Sequence, residues 1–232
     1  MNPTWLRLQA PFAAFRWLQA GVWRGTSPAM PPSAAWGLVL NVAGVETREL
    51  EGGDVTTTVR PDAPAFEVAL GVLKEPGHAV LFQQLHGYPV GTSSSDLAAR
   101  THGAKYHIAP ARRELLVDLD MVVGIRGEPP DLRGRILRGL KGESPEPRYG
   151  LPFAGDNNFL FNSIDVIEEP PPAHWYAPVT AGRPVRGSAR LTVGIDRADS
   201  SRTTMVLAAP VASASVVPPS DAWHWVPRQP LS

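Results

Sequence analysis

The stretch from Leu8 to Gly44, LQAPFAAFRWLQAGVWRGTSPAMPPSAAWGLVLNVAG, limits what this chain can fold into more than any other. Leading into it, Trp5, Leu6, Arg7, Leu8 and Gln9 alternate with the period of a half-buried strand. Pro31-Pro32-Ser33 then opens a compact apolar helix that stops at Gly44. Ser33 is expected to cap the free amides of the first turn, and Gly44 to take the left-handed conformation that ends a helix. Between strand and helix runs a long loop carrying Phe12, Phe15, Arg16, Trp17, Trp23 and Arg24. A first strand joined to its helix by a basic, aromatic loop puts RNA-binding chemistry above a sheet.

The remaining periodicities extend this start into an α+β unit. Strands are expected at residues 4–10, 66–70, 79–85, 114–125 and 159–167, with the first helix over 33–43. Lys74-Glu75-Pro76-Gly77 has turn chemistry, so 79–85 is expected to pair back on 66–70 as a hairpin. After Pro129-Pro130, Leu132, Ile136 and Leu140 form one helical stripe, which Gly134 and Gly139 each weaken by roughly 1 kcal/mol relative to Ala. The resulting βαββαβ order is that of a ferredoxin-like or RRM-like domain, assigned to residues 1–169. Residues 86–112, with Gly87, Pro89, Gly91, Ser93–Ser95 and Gly103, are too long and polar for a hairpin turn and are expected to form an inserted protrusion. Pro170-Pro171-Pro172 begins a Pro-rich extension, 170–232, in which 190–195 and 203–208 are expected to pair as a hairpin. Trp223 and Trp225 in the tail are expected to dock on this domain or on a neighbour.

Composition narrows the function. At 232 residues with 43% hydrophobic side chains the chain can bury a core. No apolar run approaches a membrane span, and the N-terminus lacks the charged and apolar regions of a secretory signal, so a cytoplasmic protein is expected. The absence of cysteine excludes disulfides and thiolate metal sites. Twenty-two basic and 22 acidic residues give zero net charge, which argues against a free-standing nucleic-acid binder and fits a subunit that contacts RNA over a small surface.

The strongest candidate cluster is Lys105, Tyr106, His107, Arg112 and Arg113. Lysine and arginine neutralise phosphates, while tyrosine, histidine and arginine planes stack on unpaired bases. The plainer reading is that Arg112, Arg113, Glu114 and Asp118 form a salt-bridge strip at the start of a strand. Arg16 and Arg24 join the RNA-binding candidates, as does Ser33 through the free amides at its helix start. His102 and His107 lack further ligands at metal spacing, and no phosphate loop, nucleophile elbow or carboxylate pair is present, so neither metal nor cofactor is expected.

Three ordered blocks carry a family resemblance. The first is the Pro-Phe, arginine loop and Pro-Ser-x-x-Gly-Leu segment closing on Gly44; the second is KYHIAPARRELLVD, Lys105 to Asp118; the third is RYGLPFAGDNNFL, Arg148 to Leu160. Together they resemble the CRISPR-associated RAMP superfamily, in particular the handle-binding small subunit of type I Cascade, the fifth Cas protein family, in its Myxococcus DevS-like branch. Phe153 and Ala154 stand where that family usually has Tyr and Leu. The resemblance implies a RAMP domain whose 86–112 insertion is a thumb, and a non-catalytic subunit that caps the 5′ repeat-derived handle of crRNA. It implies contacts with the backbone and large Cas subunits, target DNA being met only indirectly, and makes Arg113 the best single candidate for an RNA contact. A branch of the same family cuts repeat RNA without metal, using a Tyr, a Lys and a His; Lys105, Tyr106 and His107 supply those types as an alternative catalytic set. A protein-interaction module on a ferredoxin-like sheet is the remaining alternative.

Overall fold

The computed structural model describes residues 2–49, 58–89, 106–145, 148–179 and 185–229. Its organising element is β6 (Tyr106–Arg126), whose run Leu115-Leu116-Val117-Asp118-Leu119-Asp120-Met121-Val122-Val123 is apolar on both faces. On one edge it pairs antiparallel with β1 (Thr4–Ala13), Leu8 opposite Met121. On the other it pairs with β4 (Phe66–Lys74), Leu70 opposite Val123. β7 (Ser163–Ile167) lies antiparallel on the outer side of β1, Ile164 opposite Leu8. The central order is therefore β7-β1-β6-β4. Helix α1 (Pro32–Val42) links β1 to β4, and helix α2 (Leu132–Lys141) links β6 to β7.

Period-two alternation sends Leu6, Leu8, Phe66, Val68, Leu70, Met121 and Val123 to one face, where Trp36, Val39 and Leu40 of α1 and Leu132 and Ile136 of α2 cover them. Ser33 does not cap α1. Pro31 occupies the N-cap without a side-chain bond, Pro32 takes the first helical position that its missing N–H suits, and Ser33 lies inside the first turn. Gly44 ends the helix with φ +65°. The last carbonyls are also met from outside: Arg135 donates from Nε to Ala43 O at 3.0 Å and from Nη2 to Gly44 O at 2.9 Å. A cation at a helix C-terminus complements the dipole there. Gly139 lets the two helices meet, because a Cβ at that position would stand 1.8 Å from Val42 O.

The expected hairpin at Lys74–Gly77 does not form. β5 (Gly77–Pro89) continues β4 along the same edge of β6, with Val72 opposite Met121, Lys74 opposite Asp120 and Gly77 opposite Val117. Glu75-Pro76 makes an irregularity in one long strand, facing Asp118, whose φ of +56° absorbs the mismatch. Residues 66–89 and 106–126 thus make a two-stranded ribbon. Pairing reaches Pro89 and Tyr106, so both ends of the expected 86–112 insertion are strand; 90–105 lies outside the described residues.

The opposite sheet face belongs to the C-terminal segment. β8 (His174–Pro178) pairs with β4, β10 (Thr204–Pro210) pairs with both β8 and β9 (Ala189–Gly194), and β11 (His224–Val226) returns to β4. Trp5 meets Trp175 at 5.7 Å and Trp223 at 5.9 Å between ring centroids. The rings fit because the strands beneath carry glycines: a Cβ would lie 2.4 Å from Trp5 at Gly124 and 2.8 Å from Trp175 at Gly71. Arg126, paired with Glu67 at 2.6 Å, covers Trp223 with its guanidinium 4.3 Å from the ring centroid.

Two outcomes follow for stability. Gly139→Ala, which on an exposed helix would stabilise by about 1 kcal/mol, is expected instead to destabilise by about 1–3 kcal/mol through the clash with Val42 O; urea unfolding gives the sign. Burial pushes the His224 imidazole below its ordinary value, against the pull of Asp221 and Glu67. The unfolded chain therefore binds a proton, from about pH 6.5 downward, that the folded chain resists. Stability is expected to fall as pH drops through that window, and His224→Phe to flatten the fall in unfolding curves taken at stepped pH.

Candidate nucleic-acid interface

Where the ribbon leaves the sheet, β2 (Arg16–Ala20) and β3 (Trp23–Thr26) form a hairpin turning at Gly21, φ +57°. β3 runs parallel to β6, setting Trp23 opposite Arg112 and Arg24 opposite Arg113, with Arg112 N donating to Val22 O at 2.8 Å. The segment read from sequence as a long loop is thus a pinned hairpin. A cleft of about 350 Å³ opens at this junction, lined by Arg16, Arg24, Gln83, Arg113, Glu114 and Asp156 among others.

Polar contacts hold the cleft from below. Buried Thr26 accepts from Phe15 N at 2.9 Å through Oγ1, and its own N–H donates to Glu114 Oε2 at 3.1 Å. Ser27 N donates to Phe15 O at 2.9 Å. Arg113 donates from Nη2 to Asp156 Oδ2, while its Nε is buried without a partner. The other oxygen of Asp156 accepts from Asn158 N at 3.0 Å and Nδ2 at 2.8 Å. Asp156 is carried by a turn docked on the end of β1: Ala14 N donates to Ala154 O at 3.0 Å, and Gly155, φ +82°, passes so close that a Cβ would lie 2.4 Å from Ala14 O. Phe159 lies beneath the Arg113 guanidinium at 5.7 Å and packs with Phe12 at 6.3 Å.

Of the residues singled out from sequence, Arg16, Arg24 and Arg113 line this one cleft, although the third lies 97 and 89 positions along the chain from the first two. Arg112 does not: it is exposed, and its neighbour in the strand points the other way. Ser33 is half-buried in the first turn of α1, away from the cleft. Lys105 and the side chains of Tyr106 and His107 lie outside the described residues, and Tyr106 and His107 contribute backbone at the start of β6. Trp17 is exposed on β2 and Trp23 half-buried on β3. The salt-bridge strip Arg112–Asp118 does not form: Arg113 pairs across 43 positions with Asp156, Glu114 holds the β3 backbone, and Asp118 approaches Lys74 at 4.0 Å. Asp156 was not singled out from sequence, and the only signal for it is chemical: a half-buried arginine at position 113 needs an anionic partner.

No family model and no curated protein matches the chain. Solved structures do. A chain in one described as "CRISPR RNA-guided surveillance complex" aligns over 95% of this chain and 96% of that chain, with 15% identity and a TM-score of 0.57. A second, described as "Crystal structure of Cas protein", aligns over 93% and 95% with 15% identity and a TM-score of 0.46. This chain has the fold of the first. At that level of identity the likeness speaks to architecture, end to end, including the C-terminal segment.

The framework under the cleft is expected to depend on one hydroxyl. Thr26→Val keeps the shape but strands Phe15 N–H in a buried setting, with an expected cost of about 1–3 kcal/mol, readable by denaturant unfolding.

Proposed function

We propose that this chain is a non-catalytic subunit of a type I CRISPR surveillance complex that holds the 5′ repeat-derived handle of the crRNA. The observation that carries the reading is the convergence of Arg16, Arg24 and Arg113 on a single cleft at the root of the ribbon, in a chain that shares its fold, over 95% of its length, with a chain of a CRISPR RNA-guided surveillance complex. The order β7-β1-β6-β4 with two connecting helices supports reading the domain as a ferredoxin-like RAMP unit. Three arginines at one cleft, in a protein of zero net charge, suit a short stretch of single-stranded RNA whose remaining phosphates are met by neighbouring subunits.

The same reading gives the ribbon a partner. Among the described residues β5 is an outer strand, with consecutive exposed Val80, Leu81 and Phe82, and an apolar edge strand of this kind is a surface that calls for a protein. In this proposal it meets the backbone Cas subunit, the large subunit docks nearby, and recognition of target DNA is left to base pairing with the guide.

The test is a binding and cleavage assay with labelled repeat RNA, in EDTA, on the lone protein and on the co-expressed Cas subunits. Handle protection in the assembled complex, without cutting by the lone chain, is the expected result. Arg16→Ala with Arg24→Ala is expected to weaken handle binding on the order of tenfold and to reduce the salt-dependence slope by about 0.7 for each phosphate no longer neutralised. Specific cutting by the lone chain, abolished by His107→Ala, would instead make it the processing enzyme.

A further inference from the structure

The Arg113–Asp156 pair is incomplete in a way that has consequences. Asp156 takes one donor of the guanidinium, at Nη2, and leaves the buried Nε idle. A buried charged donor without an acceptor is costly, so the pair falls short of what this arginine can do. A phosphodiester presents two non-bridging oxygens, which Nε and an Nη of one guanidinium engage side-on together. For such a ligand Arg113 offers a better site than Asp156 fills.

Asp156, for its part, can give the arginine up. Its Oδ1 already accepts from Asn158 N and Nδ2, so losing Arg113 leaves the carboxylate held on its own turn. Phe159 under the guanidinium limits how far Arg113 can move, and the cleft with Arg16 and Arg24 lies beside it.

We propose that Asp156 is a built-in phosphate surrogate: it neutralises Arg113 while the cleft is empty and is displaced by a backbone phosphate of the bound strand. This rests on the nucleic-acid reading of the cleft and adds a selectivity device to it. A lone small anion gains little by competing with a tethered carboxylate. A strand that also reaches Arg16 and Arg24 wins, because several phosphates act together.

The experiment uses the full chain, a fluorescein-labelled single-stranded oligouridylate and, as competitor, inorganic pyrophosphate, read by anisotropy at several salt concentrations. Asp156→Asn is expected to tighten oligouridylate binding roughly tenfold, as when a site occupied about nine-tenths of the time by its own inhibitor is opened. Pyrophosphate should compete more strongly against this variant than against the wild type. Both gains should vanish in the Arg113→Ala background. Should Asp156→Asn not fold, by thermal melting, Asp156→Ser takes its place, since its hydroxyl can still accept from Asn158 N. If Arg16→Ala and Arg24→Ala weaken binding but removal of the Asp156 carboxylate does not tighten it, Asp156 merely positions Arg113 and the surrogate is overturned alone. An equal gain with and without Arg113 reduces Asp156 to a general negative charge and overturns it too. The same variants are read for handle protection in the co-expressed complex: if neither oligouridylate binding at the lowest salt nor handle protection responds to any of them, the nucleic-acid reading and the surrogate fall together.

Discussion

The structure depends on β6 being buried on both faces and paired on both edges. A strand with Leu119, Met121, Val122, Val123 and Ile125 all buried cannot leave either side of the sheet to water. One side is met by two helices, and the other must be met by something else. Trp5 alone cannot do it, so the chain returns after β7 to bring Trp175 and Trp223 against that face. The glycines at 71 and 124 are the complement of this demand, clearing the strands where the rings approach. The C-terminal segment is in this sense a second half of the core.

Beyond Leu116 the same strand continues out of the sheet, and there its demands become electrostatic. Glu114 binds the backbone of β3, and Arg113 binds the turn at Asp156. The three sequence blocks that stand far apart along the chain meet at this point: the arginine hairpin, the Arg-Glu pair and the glycine-flanked turn. Two carboxylates, Glu114 and Asp156, line the cleft beside its three arginines, so a chain of zero net charge assembles a cationic site that is partly neutralised from within.

What could be read from the sequence was what repeats. The alternation of residues 4–10 and 66–70, and the stripe Leu132-Ile136-Leu140, follow from a period, and each element lies where its period put it. What could not be read was what depends on register. Lys74-Glu75-Pro76-Gly77 has the residues of a turn and of a bulge alike; only the pairing of 74 with 120 and 77 with 117 tells them apart. Pro31, Pro32 and Ser33 compete for one helix start, and a shift of two positions converts a cap into a first-turn residue. Gly139 reads as a flaw in an isolated helix and is a point of contact in the folded one. Within the cleft, Arg16, Arg24 and Arg113 were recognisable by type, whereas Asp156 acquires its meaning only from the position of Arg113.

The tryptophan cover also constrains where a nucleic acid bound as proposed could travel. RNA-binding sheets of the RRM kind keep one face open and lay bases on its aromatics. Here the corresponding surface is sealed, its aromatic rings spent on one another and Trp223 roofed by Arg126. An RNA bound as proposed would have no floor to lie on there, and its path would be confined to the rim, over the β2–β3 hairpin and along the root of the ribbon. Under the proposed function, a protein built this way would handle its guide as a collar handles a rope, gripping the backbone in passing and leaving the bases free to be read elsewhere.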